Sequence, residues 1–203
     1  MAVISNGTTI ADAGAFSSSL GAMVHIKTLT ASSSSTLSFV HGASSVVLDS
    51  TYPLYVFKFI NIHTSATANF QFNGSVDAGS NYNVAKTTTV HTAGHKEDDT
   101  STYNDYDAGQ DLAQGTGFQN LSYGITTGND ESLSGYLHLF NPSNTTFVKH
   151  FMSTTNYYDS NFSQNGNMAG YFNTTSDIDA IQFKMSTGNI DSGLIKLYGI
   201  KAS

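Results

Sequence analysis

Residues 54–62 read LYVFKFINI, and this stretch decides the fold class. On an extended chain Tyr55, Phe57 and Phe59 share one face, while Leu54, Val56, Ile60 and Ile62 share the other. Lys58 alone interrupts two apolar faces, so the segment is expected to be a central strand covered on both sides. Working outward, residues 68–73 (ANFQFN) alternate cleanly, with Phe70 and Phe72 inward and Asn69 and Gln71 outward. The Asn73-Gly74 that follows reads as a turn. Further extended runs cover 36–40, 45–48, 84–91, 117–125, 132–140, 145–154, 168–173, 177–186 and 193–201. Within them Leu133, Gly135, Leu137 and Leu139 make one face, as do Ile181, Phe183 and Met185.

About nine to eleven strands at spacings of roughly 8–12 residues suit a sandwich or barrel. Composition agrees. Ser, Thr and Asn supply 68 of 203 residues, and Glu occurs only at Glu97 and Glu131, so good helix formers are scarce. No helical pattern intervenes between the strands, which excludes βαβ units, and no fixed-period repeat suggests a propeller or β-helix. The expectation is an all-β antiparallel β-sandwich, jelly-roll-like, because two sheets bury alternating faces without helices. Residues 1–35 differ: Phe16 is their only aromatic, and they end in a run of four serines, Ser32 to Ser35. They read as an N-terminal extended arm or docking segment ahead of a sandwich domain at 36–203, with a short helix near 11–20.

Charged residues make up only 11% of the chain, against a typical ~25%. The net charge is −7 and every cation is Lys. A negative chain without Arg is a poor nucleic-acid binder. With no Cys there is no disulfide, thiol nucleophile or cysteine-held zinc. No apolar run approaches the ~20 residues of a membrane helix, so no membrane insertion is expected. The first residues lack the basic and apolar regions of a secretory leader. No cofactor is expected.

The long polar stretch 92–115 reads as a loop, and loops of this length are often functional. His91 and His95 precede Glu97, Asp98 and Asp99 there; two imidazoles and a carboxylate are zinc-type ligands, but the spacing gathers them only on a helix, and a solvated loop is the competing reading. Asp105, Asp107 and Asp111, with Gly109 between, resemble an oxygen-rich calcium loop without its closing Glu. Tyr103 and Tyr106 in that stretch, and Tyr157 and Tyr158 at the start of the Asn- and Ser-rich 156–167, are candidate glycan contacts, since rigid aromatics among adaptable polar groups suit sugar binding; covering the loop base or a sheet edge is their structural role otherwise. No Gly-x-Ser-x-Gly elbow and no nominable carboxylate pair occurs, so an enzyme is not expected.

Four segments carry a resemblance. DIDAIQFKMSTGNIDSGLIKLYGI (177–200) resembles the closing hairpin of a group of bacteriophage virion proteins. DSTYPLYVFKFINIH (49–63), with Phe70-Gln71-Phe72, is similar to the same group, as is GYLHLFNP (135–142) with Lys149-His150 and Asn156-Tyr157-Tyr158. The group comprises structural or tail-fibre-like proteins of marine phages, including those of the cyanobacteria-infecting type, and the similarity spans roughly residues 36–201. MAVISNGTTIADAGAF (1–16) resembles the docking starts of phage tail appendages. The resemblance implies a β-sandwich located in the virion: a tail-appendage or fibre subunit, or an outer head fibre or capsid decoration subunit. For such a subunit the expected partners are other virion proteins and copies of itself, in a homo-oligomer such as a trimer. It carries no catalytic residue across. A lectin-like receptor-binding module that engages host-surface polysaccharide for attachment is the alternative.

Overall fold

The computed structural model describes residues 2–5, 8–12, 15–16 and 22–202, and no helix occurs among them. In chain order the strands are β1 (Val3–Ser5), β2 (Thr8–Asp12), β3 (Ala15–Phe16), β4 (Met23–Thr30) and β5 (Leu37–Val40). β6 (Leu54–Thr64), β7 (Phe70–Ser75), β8 (Lys86–Lys96), β9 (Thr102–Tyr106) and β10 (Gln119–Asn120) follow. The last are β11 (Leu133–Phe140), β12 (Lys149–Asp159), β13 (Phe162–Phe172), β14 (Ala180–Met185) and β15 (Ile190–Ile200). An eight-stranded antiparallel sheet, β4-β15-β6-β11-β12-β13-β8-β9, packs on a four-stranded one, β10-β7-β14-β5.

The pairing is nested. β5 pairs with β14, β6 with β11, β7 with β10 and β8 with β9. The chain therefore runs as one long antiparallel ribbon, and successive strands alternate between the sheets, which is the winding of a jelly roll. The β11–β12–β13 meander widens one arm of the ribbon, and β15 with β4 extends the large sheet beyond β6.

Phe183 of β14 holds the layers together. Its ring meets Phe57 and Phe59 of the large sheet at centroid distances of 5.4 and 5.3 Å, and Phe39, Phe70 and Phe72 of its own sheet at 6.3, 5.7 and 6.5 Å. A second cluster joins Phe72 to Phe151 and Phe172 at 5.2 and 6.1 Å. Four strands cover only about half the width of eight at ~4.8 Å per strand. The remaining inner face is closed by connecting segments that insert Val46, Leu48, Val84, Leu121, Ile125 and Ile178 into the same core.

Several boundaries differ from the sequence reading. Residues 45–48 are not a strand, although Val46 and Leu48 are buried. Asn73 and Gly74 lie inside β7 rather than in a turn. A side chain at Gly74 would stand 2.8 Å from the Phe172 ring, so glycine serves packing there. Ile62 is on the core face because Asn61, at φ 49°, forms a bulge that reverses the alternation of β6. β6 is central, but only one of its faces is covered by a second layer; Leu54 and Ile60 lie half-buried on the other. Met23–Thr30 is an edge strand of the large sheet, so the sandwich begins before residue 36. The stretch 11–20 is extended where it is described, Ala11 and Asp12 pairing with Phe16 and Ala15; its other residues lie outside the described ones.

Two lysines, Lys86 and Lys149, are fully buried on either side of Phe172. Lys86 Nζ donates to Gly117 O (2.6 Å) and Val84 O (3.1 Å); Lys149 Nζ donates to Phe147 O and Thr174 O, both at 3.2 Å. Carbonyl dipoles replace the missing carboxylates. Burial pulls the Lys86 ammonium down from 10.5 to about 8 and lowers Lys149 in the same sense.

Phe183→Ala is expected to cost about 3–5 kcal/mol in a urea titration, since it opens a cavity between the sheets; a loss near that of a surface substitution would contradict its bridging role. A second expectation concerns pH. Between about 8 and 10.5 the unfolded chain still holds the Lys86 proton that the folded chain has released, so stability rises with pH there, by something on the order of 3 kcal/mol. Burial raises the Tyr55 phenol to about 12, so above pH 10 the unfolded chain loses that proton first and stability falls again. The urea midpoint should climb from pH 8 toward 10, and Lys86→Met should flatten the climb.

Candidate functional site

The sequence-derived tyrosines do not converge. The stretch 156–167 is not a loop: β12 and β13 run through it, joined at Ser160-Asn161, both with positive φ (48° and 75°), as a two-residue hairpin requires. Tyr157 therefore faces the core at 2% exposure, and its hydroxyl accepts from Tyr123 N at 3.1 Å. That removes it from any set of glycan contacts. Burial pushes its phenol well above the usual value. Tyr158 lies half-exposed on the opposite face of the sheet.

The stretch 92–115 is likewise a hairpin in its first half, β8 to β9. Tyr103 lies over Gly94, whose missing side chain leaves room for the ring, and its hydroxyl donates to Gln164 Oε1. It is a packing residue at the sheet edge. Tyr106 is exposed and donates to Asp111 Oδ2. Tyr106 and Tyr158 lie three strands apart on the outer face.

Neither metal reading gains a geometry. His91 and His95 are four residues apart on one strand, about 13 Å. His91 packs on Tyr106 (5.7 Å), and His95 Nε2 bonds Asp99 Oδ1 at 3.0 Å. Asp105 is exposed on β9, Asp107 Oδ1 accepts from Gly109 N (3.1 Å), and Asp111 is turned to Tyr106. No group of three His, Asp or Glu is placed to hold a metal among the described residues.

The sequence reading missed the open face of the large sheet. Across β15, β6, β11 and β12 one row runs Lys196, Lys58, Tyr136, Thr154, and the next runs Tyr198, Val56, His138, Met152. β4 adds His25 beside Tyr198 at 5.3 Å. Tyr136 stacks on His138 (4.8 Å, 26°), and His138 meets Phe140 edge-on at 6.3 Å. Lys58 Nζ sits 5.6 Å from the Tyr198 ring centre. Tyr136 is 39% and Met152 52% exposed. Burial among these rings lowers the His138 imidazole. Next to them a shallow groove of about 250 Å³ is lined by Thr87, Thr89, His150, Met152, Ala169 and Tyr171. The available signal was the outward set of each strand, with Lys58, Tyr136, His138, Lys196 and Tyr198 all at even positions; the pairing order that brings them side by side is not written in any one segment.

A second concavity, about 470 Å³, is polar and lies by the Asn61 bulge. His63 Nδ1 stands 3.4 Å from Asp191 Oδ2 there, and its Nε2 contacts Gly128 O at 3.2 Å. Glu131 borders it but is structural: burial pushes its carboxyl up, and hydrogen bonds from Thr126 Oγ1 and Gly128 N outweigh that and hold it below the usual value.

Against known proteins, no family model matches the chain and no curated protein matches it.

Tyr157→Phe is expected to cost about 1 kcal/mol in urea, because Tyr123 N loses its acceptor in a part-buried place. Tyr157→Ala should cost several times more by opening a cavity. An alanine variant of unchanged stability would place Tyr157 at the surface and contradict the packing.

Proposed function

We propose that the chain is a structural subunit of a bacteriophage virion, a tail-appendage or fibre subunit or an outer head fibre or decoration subunit, which docks by its N-terminal segment and presents the sandwich outward. The observation that carries this reading is the small sheet β1-β2-β3. Its strands have three, five and two residues and, among the described residues, pair only with one another. A sheet of that size, with Val3 57% and Ile4 62% exposed, has little to stabilise it alone and is suited to closing against another surface. The jelly-roll fold is compatible with such a role by analogy only, since capsid and lectin domains both use it. The partners in this reading are other virion proteins and further copies of the chain, in a symmetric oligomer such as a trimer. The reading assigns no catalysis.

The second reading, a lectin-like module for host-surface glycans, is favoured by one observation, the exposed aromatic face built around Tyr136, His138 and Tyr198. It moves from the loops to the face of the sheet.

The docking reading is tested by Val3→Asp with Ile4→Asp. The double variant should keep the wild-type unfolding curve and be absent from purified particles by mass spectrometry. Incorporation at the wild-type level, or absence of the wild-type chain from particles, would overturn the reading.

A further inference from the structure

Lys58 and Lys196 lie directly opposite each other on the adjacent interior strands β6 and β15. Like charges in that position repel and cost stability. Neither has a carboxylate within 4.0 Å among the described residues, whose ion pairs are His63–Asp191, His95–Asp99 and Lys96–Asp98. The chain does not lack acids, with 15 Asp and Glu against 8 Lys. Yet no outward position of β15, β6, β11 or β12 from Leu194 to Ile200, Leu54 to Ile60, Ser134 to Phe140 or His150 to Tyr158 is acidic. An acidic protein thus keeps one acid-free field on the open face of its eight-stranded sheet, with two cations side by side in it on the second and third strands.

Aromatic rings flank the pair. Tyr198 lies against Lys58 on one side, and the Tyr136–His138 stack begins at the next strand on the other. We propose that this platform binds an acidic oligosaccharide, with a sugar carboxylate or sulfate seated between Lys58 and Lys196 and sugar rings laid on Tyr136 and Tyr198. This inference rests on the lectin-like reading and names its ligand class. Charge complementarity selects an anion. The aromatic faces select a ring with an apolar side over a bare ion. A second copy meeting this face through a two-fold contact is the poorer occupant, since that contact would set Lys58 and Lys196 against the same pair. A nucleic acid is the poorer polyanion for a chain of net charge −7 without Arg.

The test is calorimetry on the full chain with a galacturonate oligosaccharide, a neutral galactan oligosaccharide of equal length, and a single-stranded oligonucleotide. Galacturonate should bind about tenfold or more tighter than galactan, with affinity falling as salt rises. Lys58→Gln with Lys196→Gln should abolish that preference while the unfolding midpoint stays level or rises, because a repulsion has been removed. Tyr136→Ala should weaken both sugars. Equal affinity for the two sugars, or undiminished preference in the double glutamine variant, overturns the acidic-ligand inference and leaves the lectin-like reading standing. Failure to bind either sugar overturns both. Oligonucleotide bound as tightly as galacturonate, or a change of oligomeric state in the double variant without loss of sugar binding, overturns the inference and assigns the face to that other partner.

Discussion

The contact on which the structure depends is Phe183 seated between Phe57 and Phe59 of the opposite sheet. A sheet with one apolar face has to bury it, and a sandwich does so only if the inner rings of both layers interlock. Phe183 lies on an interior strand of the small sheet and Phe57 on the third of the eight strands of the large one, so the clamp lies away from the edges of both. From this constraint the rest of the core follows. The small sheet is too narrow to cover its partner, and the connecting segments have to supply apolar side chains. Val46, Leu48 and Ile178 are buried although none of them lies in a strand.

Those segments need satisfied backbone groups, and the unusual composition answers that need. Asn73 Nδ2 donates to Tyr82 O and Thr116 O at 2.7 and 3.0 Å, tying two connections to β7. Thr155 Oγ1 donates to Leu121 O at 2.6 Å, and Thr88 Oγ1 donates to Gln119 Oε1 at 2.7 Å in the core. Amides and hydroxyls carry the staples that ion pairs provide elsewhere, at smaller desolvation cost. Among the described residues Asp179 Oδ1 is the buried side-chain oxygen without a partner. Part of the Ser, Thr and Asn content is thus internal bonding, with Asn73, Thr88, Ser122 and Thr155 among its buried members.

Strands with one apolar face were legible: Phe70 and Phe72 of β7, the leucines of β11, and Ile181, Phe183 and Met185 of β14 all face the core. What was not legible depends on partners distant in sequence. The polar run around Gly94 becomes strand because Tyr103 covers it across the hairpin. Gly74 lies within a strand because Phe172 needs the space. Ile62 changes face through a bulge at Asn61, and Gly193, at φ 117° beside it, is the residue that lets β15 pass. The tyrosine pair Tyr157-Tyr158 carried no sign of which ring points inward, because register was set by a turn three residues on. The candidate face was the least legible part, since its neighbours come from four segments that only the nested pairing aligns.

The two outer faces of the sandwich differ in a way that bears on function. On the small sheet, outward polar groups are bonded to each other: Gln71 Nε2 to Asn120 Oδ1 at 2.7 Å, Gln182 Nε2 to Ser38 Oγ at 2.9 Å, and Lys184 over the Phe118 ring at 4.4 Å. A ligand approaching there would have to exchange bonds already made, with little net gain. On the large sheet the strongest polar groups, Lys58 and Lys196, face each other, and their repulsion is a standing cost. An arriving anion would relieve that cost as well as add its own attraction. The small sheet thus presents outward polar groups already paired, whereas the large sheet presents two opposed cations with no carboxylate within 4.0 Å among the described residues, beside the rings of Tyr136 and Tyr198.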